Sequence, residues 1–254
     1  MESVTFKNLS FAYHEFGHEP RTVLDNASLV VNQMEIVCIA GQSGQGKSTL
    51  LRILAGLAQP RSGQIFYSGI QSNLHTHTAL NVALEHKVAF VFQNSALISN
   101  LRVFDNVALP IRYHQPHRTD ESIREQVNGL LASMMVEEYS GHFPYALSAG
   151  VLRRVAIARA LAMEPRILLM DEPTTGLDTK SRRSLLALID NQRYLRHATI
   201  IMVTHDLPIA KDLDARVCFL HKGKLSDPMR HDEFLLAQEE HIRELVEEMD
   251  LRPT

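Results

Sequence analysis

The sequence predicts an α/β fold built around a largely parallel sheet. Four near-continuous apolar runs alternate with helical patterns, and such runs are typical of strands covered on both faces. With 45% of its 254 residues hydrophobic, the chain has enough apolar material for a buried core. The runs are EIVCIAG from Glu35, RILLMDE from Arg166, ATIIMVTH from Ala198 and ARVCFLHKG from Ala215.

Two strands and a group of helices are predicted around these runs. VTFKNLSFAY from Val4 and ASLVVNQ from Ala27 predict strands that precede the first run. VFDNVALPIRYH and DESIREQVNGLLASMMVEE have helical periodicity. They predict a helical subdomain inserted over about residues 94–160 of a main domain that comprises residues 1–230.

The segment after this domain, residues 231–254, is predicted to be an acidic helical extension. Its apolar residues recur at helical spacing, which gives one face an apolar stripe and leaves the glutamates on a solvated face. A docking role for that stripe is the alternative interpretation. The stripe consists of Ile242, Leu245, Val246 and Met249.

Composition and charge exclude some classes of protein. The formal net charge of −3 offers no basic excess to neutralise phosphates, so we expect no nucleic-acid partner. Cys38 and Cys218 lie inside apolar runs, and we expect them to be buried free thiols in a reducing compartment. The sequence has neither a signal-peptide core at its start nor an apolar run of about 18 residues.

A glycine-rich loop follows the first apolar run. GQSGQGKS, residues 41–48, has the pattern G-x-x-x-x-G-K-[ST], with a strand before it and the helical STLLRILAG after it. Glycines allow backbone amides to close around phosphate oxygens, and the helix start adds positive potential. We expect Lys47 to reach the β and γ phosphates of a nucleoside triphosphate and Ser48 to hold Mg²⁺.

Polar side chains follow three other predicted strands. Asp171 ends RILLMD, where it can help hold Mg²⁺, and Glu172 can polarise the attacking water. His205 ends ATIIMVTH and Gln93 ends VAFVFQ. We expect His205 to contact the γ-phosphate and Gln93 to contact Mg²⁺ or water.

A second possible anion-binding turn opens the helix ALSAGVLRRVAIARAL, residues 146–161. Ser148 and the free amides at the start of that helix suit an anion, but they lie far along the chain from the phosphate loop.

Together these motifs resemble the nucleotide-binding subunits of ATP-binding-cassette (ABC) transporters over essentially residues 4–223. The resemblance implies an ABC ATPase domain with a RecA-like core, an antiparallel β-subdomain and an inserted helical subdomain, with ATP and Mg²⁺ as cofactors. It implies an aromatic residue under the adenine at Tyr13 and a D-loop at Asp178. Its implied Mg²⁺ site is Ser48, Gln93 and Asp171. Its implied nucleotide-binding loop is Gly41, Gln42, Ser43, Gly44, Gln45, Gly46, Lys47, Ser48 and Thr49.

The resemblance also assigns a role to the second turn. In the family an LSGGQ signature packs against ATP held by the opposite subunit of a head-to-tail dimer, so the turn is expected to act in trans. This chain departs from the pattern at two positions, because Ala149 and Val151 stand where Gly and Gln are usual. Two interpretations therefore remain, a site that still hydrolyses ATP and a slow or degenerate site. The signature here is Leu147, Ser148, Ala149, Gly150 and Val151.

The expected partners are a second ATPase subunit and separate permease chains, which would hold the subunit at the cytoplasmic face of a membrane. The segment from Phe92 to His114 resembles ATPases of lipid transporters of the maintenance-of-lipid-asymmetry (Mla) type, which work with MCE-domain proteins. Amino-acid importers and lipoprotein- or macrolide-type exporters are the alternatives, as are a soluble ABC ATPase or a P-loop kinase outside transport. We expect Leu97, Leu101, Phe104 and Val107 to line a groove that receives a permease helix, with some of them packing the core of the helical subdomain instead.

Overall fold

The computed structural model describes residues 1–13, 19–74 and 77–248 as two sheets with helices packed around them. The strands are β1 (Glu2–Tyr13), β2 (Arg21–Asn32), β3 (Ile36–Ala40), β4 (Ser62–Tyr67), β5 (Ile70–Gln71), β6 (Val88–Val91), β7 (Ile167–Asp171), β8 (Thr199–Val203), β9 (Arg216–His221), β10 (Lys224–Leu225) and β11 (Met229–Arg230). The helices are α1 (Lys47–Leu54), α2 (Ala79–Glu85), α3 (Val103–His114), α4 (Asp120–Ser133), α5 (Ala149–Leu161), α6 (Thr179–Arg196), α7 (Pro208–Asp212), α8 (His231–Leu235) and α9 (Glu240–Glu248).

The two sheets differ in strand direction. The smaller sheet is antiparallel, with the order β2-β1-β4-β5. The larger sheet has the order β10-β9-β3-β8-β7-β6, and its strands β9, β3, β8, β7 and β6 are parallel. This is the predicted α/β architecture, and it confirms the four apolar runs as central strands.

Each face of the parallel sheet is buried against a different layer. Because successive side chains of a strand point to opposite faces, Val37 and Ile39 of β3 pack with the antiparallel sheet and α1. Ile36 and Cys38 pack on the other side with helices α3 to α7. Burial on both faces is the physical reason that these strands are apolar throughout.

The two cysteines are buried on opposite faces of the same sheet. Cys38 belongs to the core on the helix side, whereas Cys218 belongs to the core on the α1 side. Both are free thiols, and burial raises the pKa of each, to about 12 for Cys38. They are unreactive members of the core, as the sequence predicted.

Helices α3, α4 and α5 fall within the segment predicted to form the helical subdomain. Thr119 caps α4, and its hydroxyl accepts the amide of Ser122 at 3.3 Å. The apolar faces of these helices pack in the same core as Ile36 and Cys38, on the face of the parallel sheet opposite α1. The exact boundaries of this subdomain stay a prediction.

The C-terminal segment differs from the prediction of one helix. It forms two helices, α8 and α9, separated by residues 236–239. Phe234 of α8 and Ile242 and Val246 of α9 are buried in the core, so two stripe residues are used for packing within the chain. The side chain of Leu245 and residues 249–254, Met249 among them, lie outside the described residues.

Two glycines allow a matched test of this fold. Gly63 of β4 has φ +111°, and a Cβ there would lie 2.7 Å from the carbonyl oxygen of Asn8, whereas Gly129 lies inside α4 with open space around it. We expect Gly63→Ala to lower the free energy of unfolding by about 2 kcal/mol or more. Gly129→Ala should raise it by about 0.5–1 kcal/mol, because alanine favours the helix.

Urea unfolding followed by circular dichroism measures both changes. A Gly63→Ala protein as stable as the parent would contradict the close packing of β1 against β4.

Candidate nucleotide site

The glycine-rich loop joins β3 to α1 at the carboxyl edge of the parallel sheet. The Nζ atom of Lys47 donates to the carbonyl oxygens of Gly41 at 2.7 Å and Gln42 at 3.0 Å, which holds the ammonium group over the loop. Gly46 is the N-cap of α1 and provides no side-chain cap, so the first amides of the helix are available to an anion. Burial lowers the pKa of Lys47, and Glu172 and then Asp171 oppose that shift.

Two of the loop glycines are required by close approaches. A Cβ on Gly41, at φ +151°, would lie 2.6 Å from the carbonyl oxygen of Leu220 in β9. A Cβ on Gly46, at φ +101°, would lie 2.2 Å from Cγ1 of Val23 in β2. The loop is therefore held between the two sheets, and larger residues at these positions would displace it.

Ser48 and Asp171 form the part of the site that fits Mg²⁺. The Ser48 hydroxyl donates to Oδ1 of Asp171 at 2.8 Å, which joins the start of α1 to the end of β7. Burial raises the pKa of Asp171, while the Ser48 hydrogen bond and the charges of Arg52 and Lys47 lower it. A hydroxyl and one carboxylate beside bound phosphates are hard oxygen ligands of the kind that Mg²⁺ takes, so the residues fit this ion.

Glu172 lies one residue beyond β7 in a left-handed backbone conformation, with φ 48°. Its Oε2 atom accepts a hydrogen bond from the Thr175 hydroxyl at 3.0 Å and lies 2.8 Å from Nδ1 of His205. The carboxylate is thus fixed by two partners, and its amide donates to the carbonyl of Val203 at 3.0 Å. A strained, firmly held acid at the edge of a cavity is suited to orienting a water molecule.

A cavity of about 350 Å³ opens above the loop and brings together most of the predicted residues. Tyr13 stands on one wall, where its hydroxyl lies 2.9 Å from that of Thr49, and Gln93 stands on another. The cavity is lined by Tyr13, Arg21, Val23, Ser43, Gly44, Gly46, Lys47, Ser48, Thr49, Gln93 and Glu172.

The structure also shows contributors that the sequence did not indicate. Arg21 lines the cavity and donates to the carbonyl of Gly44 at 3.4 Å. The amide oxygen of Gln45 accepts the backbone N–H of Lys222 at 3.0 Å. Arg21 begins the second strand, and a contact between β2 and a loop after β3 has no local sequence signal.

The five signature residues, Leu147 to Val151, are not among the residues that line this cavity. Ser148 is the N-cap of α5, and its hydroxyl accepts the amide of Val151 at 3.4 Å. Ser148 and Ala149 are exposed. The turn therefore forms at a helix start as predicted, but away from the phosphate loop of its own chain.

Asp178 caps α6 close to the signature. Its carboxylate accepts the amides of Lys180 at 2.9 Å and Ser181 at 3.0 Å and the Ser181 hydroxyl at 2.6 Å, and these bonds lower its pKa. Gly150 faces the same helix, because a Cβ there would lie 3.7 Å from Cβ of Ser181. The D-loop and the signature are neighbours within one subunit.

Most of the residues that we expect to receive a permease helix pack against the core. Val107 is fully buried, and Leu97 and Phe104 are partly buried against the core, so these side chains serve mainly to pack the helices. Together with Leu101, they are absent from the lining of the apolar groove described below. Phe104 and Val107 of α3 thus pack the core, as expected for some of these residues, and the docking role of the set stays a prediction.

The chain matches the family model described as ABC transporter over residues 24–175. It is 39% identical over 223 residues to the spermidine/putrescine import ATP-binding protein PotA of Thermotoga maritima, covering 87% of this chain and 57% of that protein. It is 33% identical over 264 residues to the methionine import ATP-binding protein MetN of Campylobacter jejuni, covering 98% of this chain and 77% of that protein. The chain thus spans little more than half the length of the PotA relative.

A solved structure has the same fold. The dimeric post-hydrolysis state of the ATP-binding cassette MJ0796, bound to ADP and Pi, superposes with a TM-score of 0.81 at 32% identity, covering 90% of this chain and 98% of that one. The family model covers more than half of the chain, and the relatives exceed 30% identity over most of it. The chain therefore belongs to the ABC transporter family, as an α/β ATP-binding cassette whose cofactors are ATP and Mg²⁺.

Proposed function

We propose that the chain is the ATP-hydrolysing subunit that powers a membrane ABC transporter. The observation that carries this proposal is the convergence of three strand ends on one cavity. The cavity is lined by Lys47 and Ser48 after β3, by Glu172 after β7 and by Gln93 after β6. Asp171 ends β7 and accepts a hydrogen bond from Ser48, and His205, which follows β8, lies 2.8 Å from Glu172. The relatives named above are import ATP-binding proteins, which supports coupling of the hydrolysis to transport.

The residues divide the chemistry between them. Loop amides and the start of α1 bind the phosphates, and Lys47 is placed to transfer its hydrogen bonds from the loop carbonyls to phosphate oxygens. Ser48 and Asp171 would hold Mg²⁺, which would supply charge neutralisation on those oxygens. Glu172 orients a water molecule and acts as the general base toward it. His205 holds the Glu172 carboxylate in place.

The signature is proposed to complete the site of a second subunit. Gly150 has ordinary van der Waals space for a Cβ and no positive φ, so its own chain does not require glycine there. A residue that packing does not require, at an exposed helix start, is suited to close approach by an external anion. The resemblance to a dimeric cassette bound to ADP and Pi supports the same arrangement.

The unusual Ala149 is accommodated without strain in its own chain. It is the first residue of α5, and it is not among the residues with positive φ. Its methyl group therefore costs nothing locally, and any loss of activity would have to come from the partner's phosphates. This favours an active site over a degenerate one.

Permease docking is proposed at an apolar groove of about 360 Å³. None of the described helices is long and apolar enough to cross a membrane. Leu57, Leu84 and Leu109 line the groove and are 44%, 46% and 38% exposed. Two basic residues also line it, of which Lys87 is exposed and His114 is partly buried. Such a surface fits an amphipathic helix with an acidic residue, presented at the cytoplasmic face.

The identity of the transported cargo is the most specific part of the proposal. The named relatives import polyamines and methionine, so we favour a small polar solute, which corresponds to the amino-acid importer among the alternatives. The lipid and MCE-domain assignment stays a prediction that rests on the segment from Phe92 to His114. An exporter of the lipoprotein or macrolide type has no comparable support.

The first prediction separates binding from hydrolysis. Lys47→Ala should weaken ATP binding, whereas Glu172→Gln should retain binding, trap an ATP-bound dimer and lower kcat about 100-fold or more. Phosphate release measures turnover, and a fluorescent ATP analogue measures affinity. The control is Glu121→Gln on the exposed face of α4, and near-normal turnover of Glu172→Gln would exclude the assigned role.

The second prediction tests the shared site. Ser148→Arg and Lys47→Ala subunits should each be inactive alone, because each destroys every site of its own homodimer. Mixed dimers should recover activity, since one of their two sites keeps both an intact loop and an intact signature. Inactive mixtures in which native mass spectrometry detects the mixed dimer would contradict the trans assignment.

The third prediction concerns the permease groove. Leu109→Glu places a carboxylate in the apolar groove and should release the subunit from its membrane partner, with the basal ATPase rate unchanged. Tyr113→Glu is the matched control, because Tyr113 lies on the same helix, is 75% exposed and does not line the groove. Copurification of tagged subunits from cross-linked membranes, followed by mass spectrometry, reports the partner.

The same purification distinguishes the cargo classes. A complex that contains a permease together with a solute-binding protein supports import of a small solute. A complex with an MCE-domain protein and bound phospholipid would overturn that choice and leave the ATPase assignment intact.

A further inference from the structure

Two arginines of α5 hold the segment that carries Gln93. Nη1 of Arg153 donates to the carbonyl oxygen of Phe92 at 2.9 Å and also to that of Gln93. One helical turn and a half further on, Nη1 of Arg159 donates to the carbonyl of Ala96 at 2.7 Å, and its Nη2 donates to that of Ser95 at 3.0 Å. We call residues 92–96 the Gln93 segment.

This segment depends on such outside support. Ser95 and Ala96 both have positive φ, at 63° and 45°, in a stretch that contains no glycine. This backbone conformation is strained for residues other than glycine, and it persists only where its surroundings fix it. One turn bond within the segment joins the Ser95 amide to the Phe92 carbonyl at 2.9 Å. The side-chain bonds to the segment named above all come from α5.

Of the two arginines, Arg153 has the environment that more clearly indicates a role in fixing the Gln93 segment. It is 6% exposed, yet its guanidinium contacts backbone carbonyls and not a carboxylate. The charges of Asp171 and Glu172 act on it favourably from nearby and oppose the lowering of its pKa by burial. A buried cation between the two acids and the Gln93 segment is costly unless it fixes something specific.

The same helix begins at the signature. Ser148 caps α5, and Arg153 lies five residues beyond it on one uninterrupted helix that ends at Leu161. Arg159, near the far end of that helix, also lines the groove proposed for the permease. One rigid element therefore connects the groove, the Gln93 segment and the signature.

We propose that Arg153 is a positioning residue that locks the Gln93 segment to α5, so that Gln93 in one ATP site and the signature end in the other site move as one unit. This inference rests on the proposed ATPase dimer with shared sites. A change sensed by Gln93 in the subunit's own site is then passed along α5 to the partner's nucleotide, and back. Coupling of this kind requires a packed element with discrete arrangements, which the helix and its bound segment provide.

Mixed dimers with one working site test the proposal. A dimer of one parent subunit and one Lys47→Ala subunit keeps a single intact loop, on the parent subunit, completed by the signature of the Lys47→Ala subunit. Arg153→Met is then introduced either on the subunit that supplies the loop and Gln93, or on the subunit that supplies the signature. Arg154→Met is the matched control, because Arg154 is the next residue of α5 and donates to Ser184 at 2.9 Å in α6 instead.

We expect Arg153→Met to lower kcat about tenfold or more in both placements, with the ATP affinity of the isolated subunit unchanged. Arg154→Met should lower it in neither. Arg153→Lys should restore part of the loss, since it retains the charge and one donor. Hydrogen exchange should rise both in residues 92–96 and at the start of α5 when Arg153 is replaced.

A loss confined to the loop-supplying subunit, with exchange at the start of α5 unaltered, would overturn the coupling and leave Arg153 as a local support of Gln93. A loss confined to the signature-supplying subunit, or no loss at all, would overturn it as well. Failure of the proposed dimer is distinguishable, because the mixed dimer of Ser148→Arg and Lys47→Ala subunits, which has an intact site only if sites are shared, would then be inactive. That result would contradict the shared site and the coupling together.

Discussion

The parallel register of three strands is the constraint on which the nucleotide site depends. Val203 at the end of β8 pairs with Ile39 of β3 on one side and with Asp171 of β7 on the other. The three strands therefore end level with each other, and the residues that follow them emerge at one edge of the sheet. This level edge allows the Ser48 hydroxyl to reach Asp171 across the intervening strand at 2.8 Å.

Electrostatic balance allows charged side chains to be buried at this edge of the sheet. Lys47, Asp171 and Glu172 are each largely removed from solvent, and each carries a cost that its neighbours offset. Burial weakens the charged forms of Lys47 and Asp171, and the opposite charges restore them.

Sequence patterns could predict what is local and periodic in this chain. Burial on both faces made the central strands apolar, and the glycine loop between β3 and α1 needs specific residues at fixed spacing. Contacts across the fold leave no such pattern, so the direct pairing of His205 with Glu172 and the approach of Arg21 to the loop were not predicted. Helical spacing identified the apolar face of α3 at Val107 but could not tell a core face from a docking face. The break between α8 and α9 was missed because residues 236–239, which separate the two helices, contain neither proline nor glycine.

In the proposed dimer, helix α5, which begins at the signature turn, contributes to two nucleotide sites, one in each subunit. Its cap, Ser148, satisfies α5 within the chain, yet Gly150 leaves space that the chain does not use. Further along α5, the buried Arg153 attaches the segment of Gln93, which lines the cavity of the same subunit. A helix that is anchored at its middle and left open at its start can transmit a displacement from anchor to open end, because its own hydrogen bonds resist bending. In the proposed dimer, the role of the signature turn therefore depends on the segment attached to α5 behind it. A signature detached from the Gln93 segment would contact the partner's nucleotide without being coupled to the nucleotide of its own subunit.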